Sequence, residues 1–150
     1  MRPSGKACVF ATVLATIACG EKPPADGRPA SPSAGRAGVS ISGRDWVLIS
    51  LGDRTGPVGA GNQPLTLRFD GATLQASGFG GCNRFTASFT SFGDSLLFGP
   101  IASTKMACVG VDELERSYFN TLQSIKSYSV SEPVLTLNAA PGPVARFRGR

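Results

Sequence analysis

The chain has 150 residues, 41% apolar and 17% charged, and it contains no histidine. This composition predicts one domain with a core of its own, because the chain is too short for two. Without histidine, Ser-His and Cys-His nucleophile systems are excluded, and cysteine alone does not form a usual zinc site here. We therefore expect a protein that is not an enzyme, with no catalytic residue, no metal site and no cofactor.

The formal net charge of the chain is +5. Its basic side chains are spread along the sequence: Arg54, Arg68, Arg84, Arg116, Lys126 and those from Arg146 to Arg150. A nucleic-acid footprint requires clustered basic residues with interleaved aromatic residues. We therefore expect no nucleic-acid partner, and basic residues that lie on a solvated surface.

The N-terminus has the pattern of a targeting segment. Arg2 and Lys6 precede an apolar run over residues 9–18, which has signal-peptide length and is too short to span a bilayer. The run from Thr16 to Gly20 resembles a bacterial lipobox, in which the cysteine, here Cys19, is acylated, for example by palmitate. The lipobox usually has Leu at the place of Thr16, so simple export with cleavage nearby remains the alternative.

These features predict three segments. Residues 1–18 are a signal peptide, and residues 19–40 are a disordered, lipid-anchored tether rich in Pro, Gly and Ser. Residues 41–150 form the folded domain. The protein is thus exported and anchored to the cell envelope, at the outer membrane if the cell has one, and otherwise secreted or periplasmic. Its first partner is the membrane itself.

The domain opens with strand patterns. Residues 45–50 are a compact apolar run with the only tryptophan, which indicates a buried strand. Residues 65–70 alternate between apolar and polar side chains, as in a half-buried antiparallel strand. Asp70-Gly71 favours a two-residue type I′ hairpin turn, after which Ala72, Leu74 and Ala76 would face inward.

Alternation continues beyond this hairpin. Phe85, Ala87 and Phe89 share one face of the next predicted strand. Further strands are predicted over residues 95–98, 128–130, 134–137 and 144–147. The pattern is typical of an antiparallel sheet with one helix inserted between strands.

That helix is predicted from Val111 to Lys126. Asp112 and Glu115 have the spacing of a capping box, and the carboxylates at this end also complement the helix dipole. An apolar stripe recurs at spacings of four, four and three residues: Leu114, Tyr118, Leu122 and Ile125. We expect this stripe to pack on the sheet.

The four cysteines have different predicted fates. Cys8 is lost with the signal peptide, and Cys19 is acylated. Cys82 and Cys108 remain and are predicted to form a disulfide, because an exported compartment is oxidising. The alternative is two separate buried thiols that act as small apolar residues.

Two runs resemble a known family. They are Gly81-Cys82-Asn83-Arg84-Phe85 and the run from Phe98 to Cys108, followed by Glu115 and Leu122. Together they are similar to the META domain family, the HslJ-like envelope proteins, over positions 45 to 148. The resemblance implies an α+β, mainly β fold, in which a curved antiparallel sheet, a partial barrel, wraps around one α-helix. It also implies a role in envelope homeostasis and no established catalytic activity.

Two functions remain open from the sequence. The first is a non-catalytic envelope module, a monomer that meets an envelope protein partner through a sheet face or edge. The alternative is a carrier that holds a lipophilic ligand between sheet and helix. Side chains that fill the interior would weaken the carrier hypothesis, and a void among them would favour it: Phe85, Phe89, Phe98, Leu114, Tyr118 and Leu122.

Overall fold

The computed structural model describes residues 40–150. The predicted signal peptide, Cys19 and the tether up to residue 39 lie outside the described residues. In the part of the chain that is described, no helix is both long and apolar enough to cross a membrane. The elements in chain order are β1 (Asp45–Leu51), β2 (Arg54–Thr55), β3 (Thr66–Asp70), β4 (Gln75–Phe79), β5 (Arg84–Phe92), β6 (Ser95–Phe98), β7 (Ala102–Ser103), α1 (Asp112–Ser124), β8 (Ser127–Ser131), β9 (Val134–Ala139) and β10 (Gly142–Gly149).

The sheet closes into a barrel. Its strand order is β10, β9, β8, β6, β5, β4, β3, β1, and β1 pairs again with β10. The short strand β2 lies beside β1, and β7 pairs with the first part of β5. The mainly β, α+β class is confirmed, but the predicted partial barrel is closed. Closure joins the first long strand of the domain to the last, and no local pattern in the sequence predicts such a pairing.

Strand alternation places the core inside this barrel. Phe85, Ala87 and Phe89 of β5 are buried, as predicted, and so are Leu67 and Phe69 of β3. The same period of two holds on β9 and β10, whereas β1 departs from it after Leu48, where its pairing with β10 shifts register. The largest fully buried side chains come from both ends of the domain: Trp46, Tyr118, Phe69, Phe147, Leu65, Leu67, Leu96, Leu122, Ile125, Leu135 and Leu137.

The helix is shorter than predicted at both ends. It begins at Asp112 and ends at Ser124, because Val111 is its N-cap and Ile125 is already extended, with ψ 140°. Its buried residues are Leu114, Tyr118 and Leu122. Residues 113, 116, 120 and 123 are exposed, so the barrel does not wrap around the helix. The helix packs one face on the core and leaves the other in solvent.

The β3–β4 connection differs from the predicted two-residue turn. Asp70 pairs with Gln75, which leaves residues 71–74 as a four-residue loop. The Oδ1 atom of Asp70 accepts hydrogen bonds from the N–H groups of Ala72 at 2.9 Å and Thr73 at 3.1 Å. These bonds, from Thr73 first, lower the pKa of Asp70. Ala72 and Leu74 are therefore exposed rather than inward, and Leu74 has a positive φ of 54°.

Candidate functional site

A buried polar cluster joins the helix to the loop that follows β4. Glu115 lies in the first turn of α1, and its Oε1 atom accepts the N–H groups of Cys82 at 3.1 Å and Asn83 at 2.6 Å. Its Oε2 atom accepts the Nδ2 group of Asn83 at 2.7 Å. The predicted capping role of Glu115 is wrong, because the carboxylate serves this loop and the N-cap has no side-chain hydrogen bond.

The side chain of Asn83 continues the cluster on its other side. Its Oδ1 atom accepts the N–H of Met106 at 2.7 Å and the hydroxyl of Thr104 at 2.8 Å. Asn83 is buried, and among the described residues no buried side-chain nitrogen or oxygen is without a partner. An amide is required at this position because one side chain must donate to a carboxylate and accept from a backbone N–H.

Cys82 and Cys108 are joined by a disulfide beside this cluster, with Cα atoms 5.8 Å apart. The predicted bridge is thus present, and it ties the loop before β5 to the segment before the helix. Two glycines allow close packing here. A Cβ atom on Gly80 would lie 2.6 Å from the ring of Phe119, and one on Gly59 would collide with the backbone of Gly81.

The cluster holds Arg84 in place on the outer face of the barrel. Arg84 is exposed and begins β5, between the buried side chains of Asn83 and Phe85. Its carbonyl oxygen accepts the N–H of Thr104 at 3.1 Å. The ion pairs of the described region join Arg44 to Glu132, Arg54 to Glu113 and Arg68 to Asp45, so none of them includes Arg84.

Three shallow grooves meet at Arg84. One runs toward the disulfide, has a volume of about 310 Å³ and is lined by Phe79, Thr104 and Met106, among others. A second, of about 310 Å³, runs along β7 past Thr86 and Ser103. The third, of about 290 Å³, crosses the outer face of β4 and β3. We call the exposed region formed by Arg84, these grooves, Met106 and Val109 the Arg84 surface.

Exposed apolar side chains lie at one edge of the Arg84 surface. Met106 is 64% exposed and Val109 is fully exposed. Both belong to the segment that Asn83 and the disulfide hold in place. These two side chains give the Arg84 surface an apolar edge on a fixed backbone.

Comparison with known proteins identifies the family of the chain. A sequence model of the META domain matches residues 39–150. The chain belongs to the META domain family. The NMR structure of a protein from Burkholderia xenovorans is similar to this chain, with 29% sequence identity, a TM-score of 0.61, and coverage of 73% of this chain and 83% of that chain.

A second NMR structure shares the fold of this META domain, at 22% identity and a TM-score of 0.57. The match covers 72% of this chain and 91% of that chain. No curated protein matches the chain. The comparisons therefore assign the META domain and its fold, and the function has to be argued from the site.

The interior of the META domain is filled by its own side chains. The rings of Phe85 and Tyr118 lie 5.8 Å apart, and those of Phe69 and Phe89 lie 5.1 Å apart. The hydroxyl of Tyr118 donates to the carbonyl oxygen of Thr66 at 3.1 Å, and burial raises the pKa of Tyr118. Of the six residues that decide the carrier hypothesis, five are buried and Phe98 packs against the core. This packing is the arrangement that weakens the carrier hypothesis.

Titratable groups of the described META domain are not gathered as a metal site requires. Among residues 40–150, no group of three or more cysteine, aspartate or glutamate side chains could hold a metal ion. The carboxylates at the helix start have separate contacts: Glu113 pairs with Arg54 at 3.0 Å, and Glu115 binds the loop. Sequence reasoning placed Arg84 on a solvated surface but did not single it out as a site residue. It missed the exposure of Met106 and Val109, for which the sequence has no local signal.

Proposed function

We propose that this META domain protein is a non-catalytic module of the cell envelope that binds a protein partner through the Arg84 surface. The resemblance to the HslJ-like envelope proteins supports the location, and the N-terminal sequence supports export and a lipid on Cys19. The observation that carries the binding role is that Arg84 shares a groove with exposed Met106, on a backbone fixed by Asn83 and by the disulfide that exposed Val109 follows.

A protein segment fits the Arg84 surface better than a small molecule does. Small-molecule sites enclose most of their ligand, whereas these grooves are shallow and open along the outside of the barrel. Arg84 offers a guanidinium to a carboxylate, and Met106 offers a polarizable apolar contact that adapts to different side chains. The partner segment therefore presents a carboxylate to Arg84 and an apolar side chain to Met106.

A rigid site lowers the cost of binding. The backbone on either side of Arg84 is already ordered by the buried cluster, so a partner does not have to order it. The same rigidity fixes the distance between the backbone of Arg84 and the apolar edge, which limits the spacings of carboxylate and apolar side chain that the surface can bind.

The test is photocrosslinking in the native cells with a photoreactive residue at position 106. We expect a discrete adduct with a protein partner, and we expect Arg84→Glu to lower its yield at least tenfold, which corresponds to about 1.4 kcal/mol. Arg116→Glu, on the exposed face of the helix, is the matched charge reversal, and Thr90, exposed on β5, is the matched crosslinker position. An adduct that persists with Arg84→Glu, or that forms equally from position 90, would contradict the proposal.

A further inference from the structure

Strand β10 carries a row of arginines on the outside of the barrel. Arg146 and Arg148 are exposed and alternate with Ala145 and Phe147, which are buried. Arg150, two residues further along, is also exposed. The three guanidinium groups therefore leave the sheet on the same side, although in the sequence they do not stand out from the other scattered basic residues.

The strands on either side of β10 add no carboxylate opposite Arg146 or Arg148. Arg146 lies opposite Ser50 of β1 and Thr136 of β9, and Arg148 lies opposite Val47 and Val134. Opposite charges across neighbouring strands would stabilise the arginines and neutralise the face. Their absence at these cross-strand positions leaves the outer face of β10 positive.

The carboxylates at the end of this face where Arg150 lies are already ion-paired. Asp45 pairs with Arg68 at 2.9 Å, and Glu132 pairs with Arg44 at 2.7 Å. At the other end, Asp53 lies in the β1–β2 turn beside Arg54. No ion pair of residues 40–150 includes the β10 arginines. We call Arg146, Arg148 and Arg150 with their outward neighbours the β10 face.

The chain enters the domain at one end of the β10 face. The N–H of Arg150 donates to the carbonyl oxygen of Asp45 at 2.9 Å, so β1 starts where β10 ends. Residues 19–39 precede this point in the sequence. Before β1, Ser42 bridges Phe69 of β3, and the N–H of Gly43 donates to the carbonyl oxygen of Phe69 at 3.2 Å. The described chain therefore begins at the end of the barrel where Arg150 lies, but next to β3.

We propose that the β10 face rests on the anionic headgroups of the membrane that holds the N-terminus, a contact that rests on the proposed lipid anchor. Each basic residue near an anionic membrane surface strengthens the attraction by about 1 kcal/mol, or about fivefold in partitioning. A single-stranded nucleic acid fits less well, because base stacking needs aromatic side chains and the cross-strand neighbours are valine, serine and threonine.

This orientation leaves the Arg84 surface accessible. In the ring of strands, β5 lies four places from β10 in both directions, so Arg84 and Arg146 are on opposite sides of the barrel. Of the Arg84 surface, the third groove extends toward β10 as far as Asp45 of β1. Lipid contact through Arg146 and Arg148 would turn Arg84 away from the membrane. The two surfaces can then be occupied at the same time by different partners.

The experiment is flotation of the full-length protein, purified from cells that process it, with vesicles of phosphatidylcholine alone or with added phosphatidylglycerol. The anchor gives flotation on both vesicles that does not depend on salt and that the Cys19→Ser variant loses. For the headgroup contact, a fluorescent residue at the exposed position 129 of β8 should be quenched by a headgroup quencher on anionic vesicles only. The same fluorescent residue at position 90 of β5 should not be quenched.

Salt and charge variants identify the cause of the quenching. It should disappear at about 1 M salt, where the screening length is about 3 Å, and in the variant Arg146→Ser/Arg148→Ser. The conservative variant Arg146→Lys/Arg148→Lys should keep it. The control Lys105→Ser/Arg116→Ser removes the same net charge at exposed positions away from β10 and should change nothing. Circular dichroism checks that all variants are folded.

The outcomes separate the two proposals. If the Cys19→Ser protein floats with phosphatidylcholine vesicles as well as the unchanged protein does, the proposed anchor is wrong. Binding of the β10 face is then measured by the additional flotation with anionic vesicles. That flotation should fall about fivefold for each arginine removed. Quenching or flotation that is unchanged in Arg146→Ser/Arg148→Ser, or lost equally in the Lys105→Ser/Arg116→Ser control, overturns the β10 face proposal.

Discussion

Asn83 uses every hydrogen-bonding group of its side chain. Its Nδ2 group donates to Glu115 and, at 3.4 Å, to the carbonyl oxygen of Met106, while its Oδ1 atom accepts from Met106 and Thr104. A buried polar group that lost one of these partners would keep its desolvation cost without compensation. Asn83 therefore fixes its own loop, the start of the helix and the segment from Thr104 to Met106 relative to one another. It thereby also fixes the backbone of the neighbouring Arg84.

Replacing Asn83 with Asp tests this assignment. The variant places a second carboxylate within hydrogen-bonding distance of Glu115, and we expect a loss of about 3 to 5 kcal/mol in the free energy of unfolding at neutral pH. The charge repulsion raises the pKa of the new carboxyl above its unfolded value. Its protonated form is therefore favoured by folding, so the loss should shrink as the pH falls toward about 4.

A second substitution provides the control for that prediction. In Asn83→Asp/Glu115→Gln the donor and acceptor exchange places, since the glutamine amide can donate to the aspartate and still accept the backbone N–H groups of Cys82 and Asn83. Urea unfolding should show most of the stability restored and the pH dependence reduced. If the double variant is as unstable as the sum of its single variants, the direct contact between positions 83 and 115 is not what matters.

At the scale of elements, the helix is held by contacts with the rest of the domain rather than by a capping side chain. Its N-cap makes no side-chain hydrogen bond, and its first turn is fixed by Glu115 on the loop. The apolar stripe predicted both the helix and its buried face, because a period near four residues is a property of the sequence. The role of Glu115 was not predictable, since a carboxylate near a helix start fits a cap equally well until tertiary structure brings Cys82 near.

The buried stripe makes a quantitative prediction for Leu122. Its side chain is fully buried in the core, and Leu122→Ala should lower the free energy of unfolding by about 2 to 5 kcal/mol. Gln123→Ala, at the exposed neighbouring position, should change it by less than about 0.5 kcal/mol. Similar values for the two variants in urea unfolding would show that the helix does not depend on this face.

The hairpins show where local sequence was and was not sufficient. Strand patterns predicted β3, β5, β6, β8, β9 and β10, because one face of each strand packs on the core, although on β8 it is only partly buried. Asp70-Gly71 was misassigned because the Asp70 side chain accepts the N–H groups of the next residues and stabilises a longer loop. The Arg84 surface and the β10 face lay beyond sequence analysis for a different reason, since both depend on which strands become neighbours.

At the scale of the molecule, the ring of strands is not uniform. β9 and β10 pair along six residues on each strand, whereas β6 and β8 share a single residue pair, Ser95 with Ser127. Two backbone hydrogen bonds flank that pair, from Leu96 to Lys126 at 3.1 Å and from Tyr128 to Asp94 at 2.8 Å. The barrel is closed, but this junction is its weakest, because the chain leaves the helix just before β8 begins.

The uneven ring predicts where the barrel opens first. Regions joined by few hydrogen bonds open locally at a lower free energy than the whole domain unfolds. Native-state hydrogen exchange should therefore find that the N–H groups of Leu96 and Tyr128 exchange through a smaller opening than the hydrogen-bonded amides between β9 and β10. Added denaturant should change the β9–β10 exchange strongly and the junction exchange weakly, because local opening exposes little surface. Equal opening free energies at the β6–β8 junction and between β9 and β10 would mean that the ring unfolds only as a unit. The helix and the core around Leu96 would then stabilise the junction as much as the long ladder stabilises β9 and β10.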